Sequence, residues 1–265
     1  MATYVFSDVH GHAAPLRRLL NRIAPSDDDR FFCLGDMVDR GPAPLDVVEL
    51  VRTLPNVTVL MGNHEDLMLG WMHDQSNYMS LADWTLNGGN VTRVGIMRLT
   101  PWARVSLVEW FDSLPAYAVC TVRDRIYVLV HAGILPYAGE PRTWDEDALR
   151  ELLDGMDRQD LMWIREPFWE APTGLMDGTG AGPIVIAGHT PTRFLMHMDA
   201  ACDRPVLDDD GICQSVRVGD PDSCGGARDK WNVDSGCAGG ASFGKVTIIR
   251  LDDGVEFTEP IASGE

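Results

Sequence analysis

Short apolar runs alternate with longer amphipathic ones along the first part of the chain. Thr3 to Ser7 and Phe31 to Leu34 are short and rich in strand-forming residues, and the second reads as a buried strand. Between them Leu16, Leu19, Leu20 and Ile23 recur at helical spacing. That predicts a helix over Ala14 to Ile23 with Pro15 in its first turn. A polar loop over Ser26 to Arg30, a helix near Pro44 to Thr53 and a third strand over Val57 to Met61 follow. Strand, helix, strand, helix is the α/β pattern. Glu65 to Met72 reads as a helix with Leu67, Met68, Trp71 and Met72 on its apolar face, and Val105 to Phe111 as another. Asp83 to Asn90, with Asn87-Gly88-Gly89 at its end, reads as a turn. Ala116 to Cys120 and Ile126 to Val130 pair as a hairpin across Arg123 to Arg125. Asp145 to Leu153 is a helix whose acidic first turn suits the macrodipole. Ile184 to Ala187 is a buried strand, Asn232 to Cys237 and Lys245 to Leu251 are the last strands, and the tail after Phe257 reads as frayed.

Five strands end in polar, ligand-type residues. Asp8-Val9-His10 places two donors on one face of extended chain. Gly35 to Gly41 sets Asp36, Asp39 and Arg40 in one glycine-bounded turn, and Gly62-Asn63-His64-Glu65 ends the third strand. His131-Ala132-Gly133 and Gly188-His189-Thr190 complete the set. Taken singly, Asp8 and His10 fit a solvated turn equally well, and a histidine such as His131 is more often a hydrogen-bonded core residue. Taken together, four of the seven histidines fall at strand ends beside glycines, a recurrence that chance does not account for. Ligands of open α/β folds bind at that edge. Asp8, His10, Asp36, Asn63, His131 and His189 are about the set that two divalent ions sharing one carboxylate require, with Asp36 the natural bridge. Mixed oxygen and imidazole donors suit manganese, iron or zinc better than magnesium or calcium.

Composition narrows the partners. The formal charge of −18 opposes general nucleic-acid binding and repels an anionic substrate, so a phosphate site needs metal ions or local arginines. A hydrophobic content of 45% supports a substantial core. No apolar span long enough for a membrane helix and no signal peptide is visible, which makes the cytoplasm the default location.

The ordered motifs Asp-x-His, Gly-Asp-x-x-Asp-Arg-Gly, Gly-Asn-His-Glu, His-Ala-Gly and Gly-His-Thr resemble those of the calcineurin-like metallophosphoesterases. More narrowly they are similar to the bacterial and phage form of the serine/threonine phosphoprotein phosphatases. The resemblance runs from Thr3 to about Leu251 and is most specific through Thr190; Asn87-Gly88-Gly89, Trp163-Ile164-Arg165 and Asn232 to Gly236 also match. It implies one domain over 1–265, a central β-sandwich flanked by helices, and a dinuclear centre at one edge. Asp8, His10 and Asp36 would hold one metal, and Asp36, Asn63, His131 and His189 the other, with manganese ahead of iron or zinc. His64 would be the general acid, Asp39 its orienting partner, and Arg40 and Arg165 the phosphate ligands. The implied reaction is in-line attack of a hydroxide shared by the metals on phosphorus, without a phosphoenzyme.

The resemblance favours a phosphorylated protein or small phosphomonoester as substrate. The alternative is symmetrical hydrolysis of diadenosine tetraphosphate or another nucleotide polyphosphate, whose enzymes tend to carry Asp where this chain has Glu65. A metal-binding scaffold without catalysis is disfavoured, because His64, Asp39 and Arg40 are present and are not metal ligands. Residues 197–230 look like an acidic, glycine-rich surface insertion near the mouth of the site. Cys202, Cys213 and Cys224 lie within it, and a Cys213–Cys224 disulfide is conceivable although a cytosol disfavours it. Cys33 and Cys120 read as core thiols.

Overall fold

A computed structural model describes residues 1–140 and 142–265. Two five-stranded mixed sheets stack face to face, with helices on their outer faces. The first contains β1 (Thr3–Phe6), β2 (Arg30–Cys33), β3 (Val57–Val59), β9 (Lys245–Arg250) and β10 (Val255–Pro260), in the order β10-β9-β1-β2-β3. The second contains β4 (Tyr117–Val122), β5 (Arg125–Val130), β6 (Ile184–Ala187), β7 (Val216–Val218) and β8 (Lys230–Asn232), in the order β4-β5-β6-β8-β7. β1, β2 and β3 are mutually parallel, as are β5, β6 and β8, so each group delivers its C-terminal ends to one edge.

Side-chain alternation builds the layers. Val5, Phe32 and Ile249 point inward against Leu129, Ile186 and Trp231 of the second sheet. Their neighbours Tyr4, Phe6, Phe31 and Cys33 point outward, where α1 (Ala13–Ile23) and α2 (Pro44–Arg52) bury Leu16, Leu19, Val47 and Val51 on them. On the far side Val128, Val130 and Val185 meet α7 (Glu146–Asp154), α8 (Arg158–Trp163) and α9 (Glu166–Glu170) through Leu149, Leu153, Leu161 and Phe168. Among the described residues no helix is long and apolar enough to cross a membrane.

Three expectations are corrected. Asp83 to Asn90 is not a simple turn: α4 (Tyr78–Leu86) and α5 (Asn90–Arg98) occupy this stretch, and only Asn87–Gly89 links them. The Asn77 side chain accepts from the Met79 and Ser80 N–H groups and starts α4, a cap that the glycines downstream obscured. The tail is not frayed: β10 pairs with β9, and Arg18 and Arg22 of α1 hold Glu259 and Glu265. The eighth strand lies earlier than expected, at Lys230–Asn232, and Val233 to Gly236 continues as loop toward the site.

Residues 197–230 do more than cover the surface. They supply the edge strand β7, which pairs antiparallel with β8, and they bury Cys213, Val216, Val218 and Cys224. All six cysteines are free thiols, Cys213 and Cys224 included.

Candidate metal and phosphate site

The edge where the parallel strands end gathers every residue singled out from the sequence. Asp8 and His10 follow β1, Asp36 to Arg40 follow β2, Asn63 and His64 open α3 (Asn63–His73) after β3, and His131 and His189 follow β5 and β6. Arg165 comes from the far layer, at the N-terminal end of α9. Lys230 Nζ fixes that short helix from its other end, donating to the Phe168, Trp169 and Ala171 carbonyls at 3.0, 3.2 and 2.5 Å.

Backbone strain concentrates here. Among the described residues nine non-glycine residues adopt positive φ, and six of them are Asp8, His10, Asp36, Asp39, Arg40 and His189. Left-handed backbone costs energy for such residues and persists where function needs a particular side-chain direction. Two glycines make room for the carboxylates. A Cβ on Gly62 would lie 2.3 Å from Asp36 Oδ1, and one on Gly188 would lie 2.0 Å from Asp8 Oδ2.

Hydrogen bonds orient the imidazoles so that acceptor atoms converge. His10 Nδ1 donates to the Val38 carbonyl at 3.0 Å and His131 Nδ1 to the Leu34 carbonyl at 2.9 Å, which leaves Nε2 of each ring as a lone pair. Those two Nε2 atoms each lie 3.5 Å from Asp36 Oδ2, and His10 Nε2 is also 3.9 Å from Asp8 Oδ1. Asn63 Oδ1 is 3.0 Å from His131 Nε2 and 2.8 Å from His189 Nδ1. The His10 and His131 Nε2 lone pairs facing Asp36 Oδ2 in a buried site suit a cation between them. Electrostatics agrees: burial, then the Asp8 and Glu65 carboxylates, push the Asp36 carboxyl well above the usual carboxylate range. Burial pushes His10, His131 and His189 down, toward the neutral form that binds metal. The donor set therefore fits two divalent ions, with Asp36 Oδ2 positioned to serve both.

His64 also comes close to this cluster, with Nε2 3.9 Å from Asp36 Oδ2, and His10, Asp36 and His64 could group around an ion. Its other neighbours argue against that role. Nδ1 donates to Asp39 Oδ2 at 2.7 Å, and Nε2 accepts from Arg40 Nη2 at 3.1 Å, so a metal there would sit against a guanidinium. The Arg40 N–H donates to the Gly88 carbonyl at 3.2 Å, which ties this arginine to the Asn87–Gly89 link. Arg165 Nη1 donates to the His189 carbonyl at 3.2 Å and more loosely to Thr190 Oγ1 at 3.4 Å. Arg40 and Arg165 face a cleft of about 120 Å³ that His10, Asp36, Asn63, His64 and His189 also line, with Phe194 at its side.

Three functional candidates were given no role by the sequence reading, and a fourth, Glu65, was given a different one. Asp234 lines the cleft, and burial and the Asp8 carboxylate raise it well above the usual carboxylate range. Trp84 and Thr92 contact Asp39, a pairing that needed α4 and α5 to be recognised. Glu65 was weighed as a marker of substrate class, yet it faces backbone. Its Oε2 accepts from the Gly62 and Asp36 N–H groups at 3.1 and 2.8 Å, and Oε1 from Met37 at 2.8 Å. Burial pushes its carboxyl up to about 7. Glu65 thus clamps the two turns that carry Asp36 and Asn63. Glu65→Ala strands those donors in the interior and is expected to cost about 3 kcal/mol or more of stability, read by urea unfolding of the metal-free protein. A midpoint within error of wild type would refute the clamp.

Comparison with known proteins places this geometry. The calcineurin-like phosphoesterase family model matches residues 1–217. The symmetrical bis(5'-nucleosyl)-tetraphosphatase of Dechloromonas aromatica (strain RCB) is 28% identical over an alignment spanning 96% of this chain and 94% of that protein. The enzyme of the same name from Vibrio parahaemolyticus is 25% identical, with 98% of each chain covered. A crystal structure provisionally described as a diadenosine tetraphosphatase superposes with a TM-score of 0.55 at 17% identity, covering 99% of this chain and 94% of that one. At that identity the superposition speaks for the fold alone. The chain belongs to the calcineurin-like phosphoesterase family and is a hydrolase of phosphate esters.

Proposed function

We propose that this hydrolase cleaves dinucleoside tetraphosphates symmetrically, releasing two nucleoside diphosphates. The relatives matching over nearly the whole chain carry that name, which favours the alternative weighed from the sequence over its protein-phosphatase reading. The observation that carries the proposal within this chain is the make-up of one cleft. Two guanidinium groups, Arg40 and Arg165, flank a space of phosphate size, and the Phe194 ring, 46% exposed, stands beside them. Guanidinium groups bind phosphate oxygens in pairs, and an exposed ring can stack a nucleobase.

Two divalent ions, held by Asp8, His10 and Asp36 and by Asp36, Asn63, His131 and His189, would supply Lewis acidity and activate water; manganese is our choice among manganese, iron and zinc. The chain's own residues do the rest. Arg40 and Arg165 bind and orient the reacting phosphate and offset the repulsion of a chain with charge −18. Phosphate draws Arg40 away from His64 Nε2, leaving that nitrogen to carry the proton delivered to the departing oxygen. Asp39 keeps Nδ1 protonated and the ring in place.

Product analysis tests the reading. With manganese and diadenosine tetraphosphate, chromatography is expected to show ADP as the sole product, formed faster than phosphate is released from a phosphoserine peptide. ATP with AMP, or preference for the peptide, would overturn it.

A further inference from the structure

Asp39 is fully buried, in left-handed backbone, and His64 is its only ionisable side-chain partner among the described residues. Neutral donors fill its remaining positions. Trp84 Nε1 donates to Oδ1 at 3.1 Å and to Oδ2 at 2.9 Å. Thr92 Oγ1 donates to Oδ1 at 2.6 Å and accepts the Asp39 N–H at 2.9 Å, which locks side chain and backbone together.

The bland account makes Trp84 an ordinary core residue, since its ring packs on Trp71 at 5.4 Å. Two observations speak against it. The indole N–H groups of Trp71, Trp163 and Trp169 are buried without partners, so this fold does not place indole donors by default. Moreover, Trp84 is the one buried residue of α4, and Thr92 is one of two in α5. Each of these largely exposed helices turns inward chiefly at the residue that meets Asp39.

We propose that Trp84 and Thr92 are positioning residues that hold Asp39, and through it His64, for proton delivery to the leaving oxygen; the proposal rests on His64 being the proton donor. Without either donor the Asp39 carboxylate turns, and His64 Nε2 loses its aim. Phosphate binding, which runs through Arg40 and Arg165, is spared. The defect therefore falls on kcat and grows as the leaving group becomes harder to expel without a proton.

The test compares phenyl phosphate, a poor leaving group, with p-nitrophenyl phosphate, a good one, in the manganese-loaded enzyme. Trp84→Phe and Thr92→Val are each expected to lower kcat about tenfold more for phenyl phosphate, with KM little changed, as loss of a hydrogen bond to a charged group implies. Thr92→Ser, which keeps the hydroxyl, restores the wild-type ratio. Thr92→Val preserves volume and keeps the test valid if Trp84→Phe does not fold. His64→Asn is the control and must show the steeper leaving-group dependence. If it does and both positioning variants slow the two substrates equally, or neither substrate, the inference is overturned while the role of His64 stands. If His64→Asn shows no steeper dependence, the role of His64 fails and this inference falls with it.

Discussion

Asp36→Asn is expected to abolish turnover, lowering p-nitrophenyl phosphate hydrolysis by at least about a thousandfold, and to reduce bound metal from an expected two ions per chain to one or none. The substitution keeps the size of the side chain. It also keeps an oxygen for the His64 N–H, which Asp36 Oδ1 accepts at 3.0 Å. What it removes is the charge at Oδ2, the atom 3.5 Å from both His10 Nε2 and His131 Nε2. No other described side chain contacts both rings in this way. The same change has an opposite effect on the metal-free protein. There Asp36 is a buried carboxylate facing Asp8 and Glu65, and its raised pKa records the cost. Metal-free Asp36→Asn should therefore melt no lower than metal-free wild type. Loss of activity together with a lower metal-free melting temperature would point to a damaged fold.

His64→Asn is expected to lower kcat by about a hundredfold or more on phenyl phosphate, whose leaving oxygen needs the proton, and to leave two metal ions bound. The contrast with Asp36→Asn is the informative part. His64 and Asp36 are neighbours, at 3.9 Å, yet the partners of His64 are an aspartate and an arginine rather than further metal ligands. Metal analysis of the purified variant decides the matter. Loss of one ion would make His64 a ligand.

The clustering of the candidate metal ligands was legible because its information is local. Each candidate ends a strand within a few residues of a glycine, and the apolar run before it marks the strand. Once parallel pairing is inferred, the ends converge by topology. Arg40 was legible for the same reason. What escaped depends on distant packing. Trp84 bonds Asp39 across 45 residues and Thr92 across 53, and the Asn-Gly-Gly link between their helices drew attention to itself and away from them. Glu65 was noticed only through the resemblance, as a marker of substrate class; its structural role, bonding the N–H groups of a turn almost thirty residues earlier, was not legible. The β10 tail escaped because its partners, Arg18 and Arg22, are exposed charges at the opposite end of the chain. Residues 197–230 looked like pure surface because the acidic and glycine-rich stretches outweighed the short apolar edge strand at Val216–Val218.

If a shared carboxylate assembles two metal ions into a phosphoesterase centre at this strand edge, hydrolysis must follow metal occupancy. Chelator-stripped protein titrated with manganese, with hydrolysis of diadenosine tetraphosphate followed at each addition, tests it most directly. No turnover is expected without metal, and activity should reach its plateau with the second equivalent per chain. Full turnover by the stripped protein in the presence of chelator would contradict it.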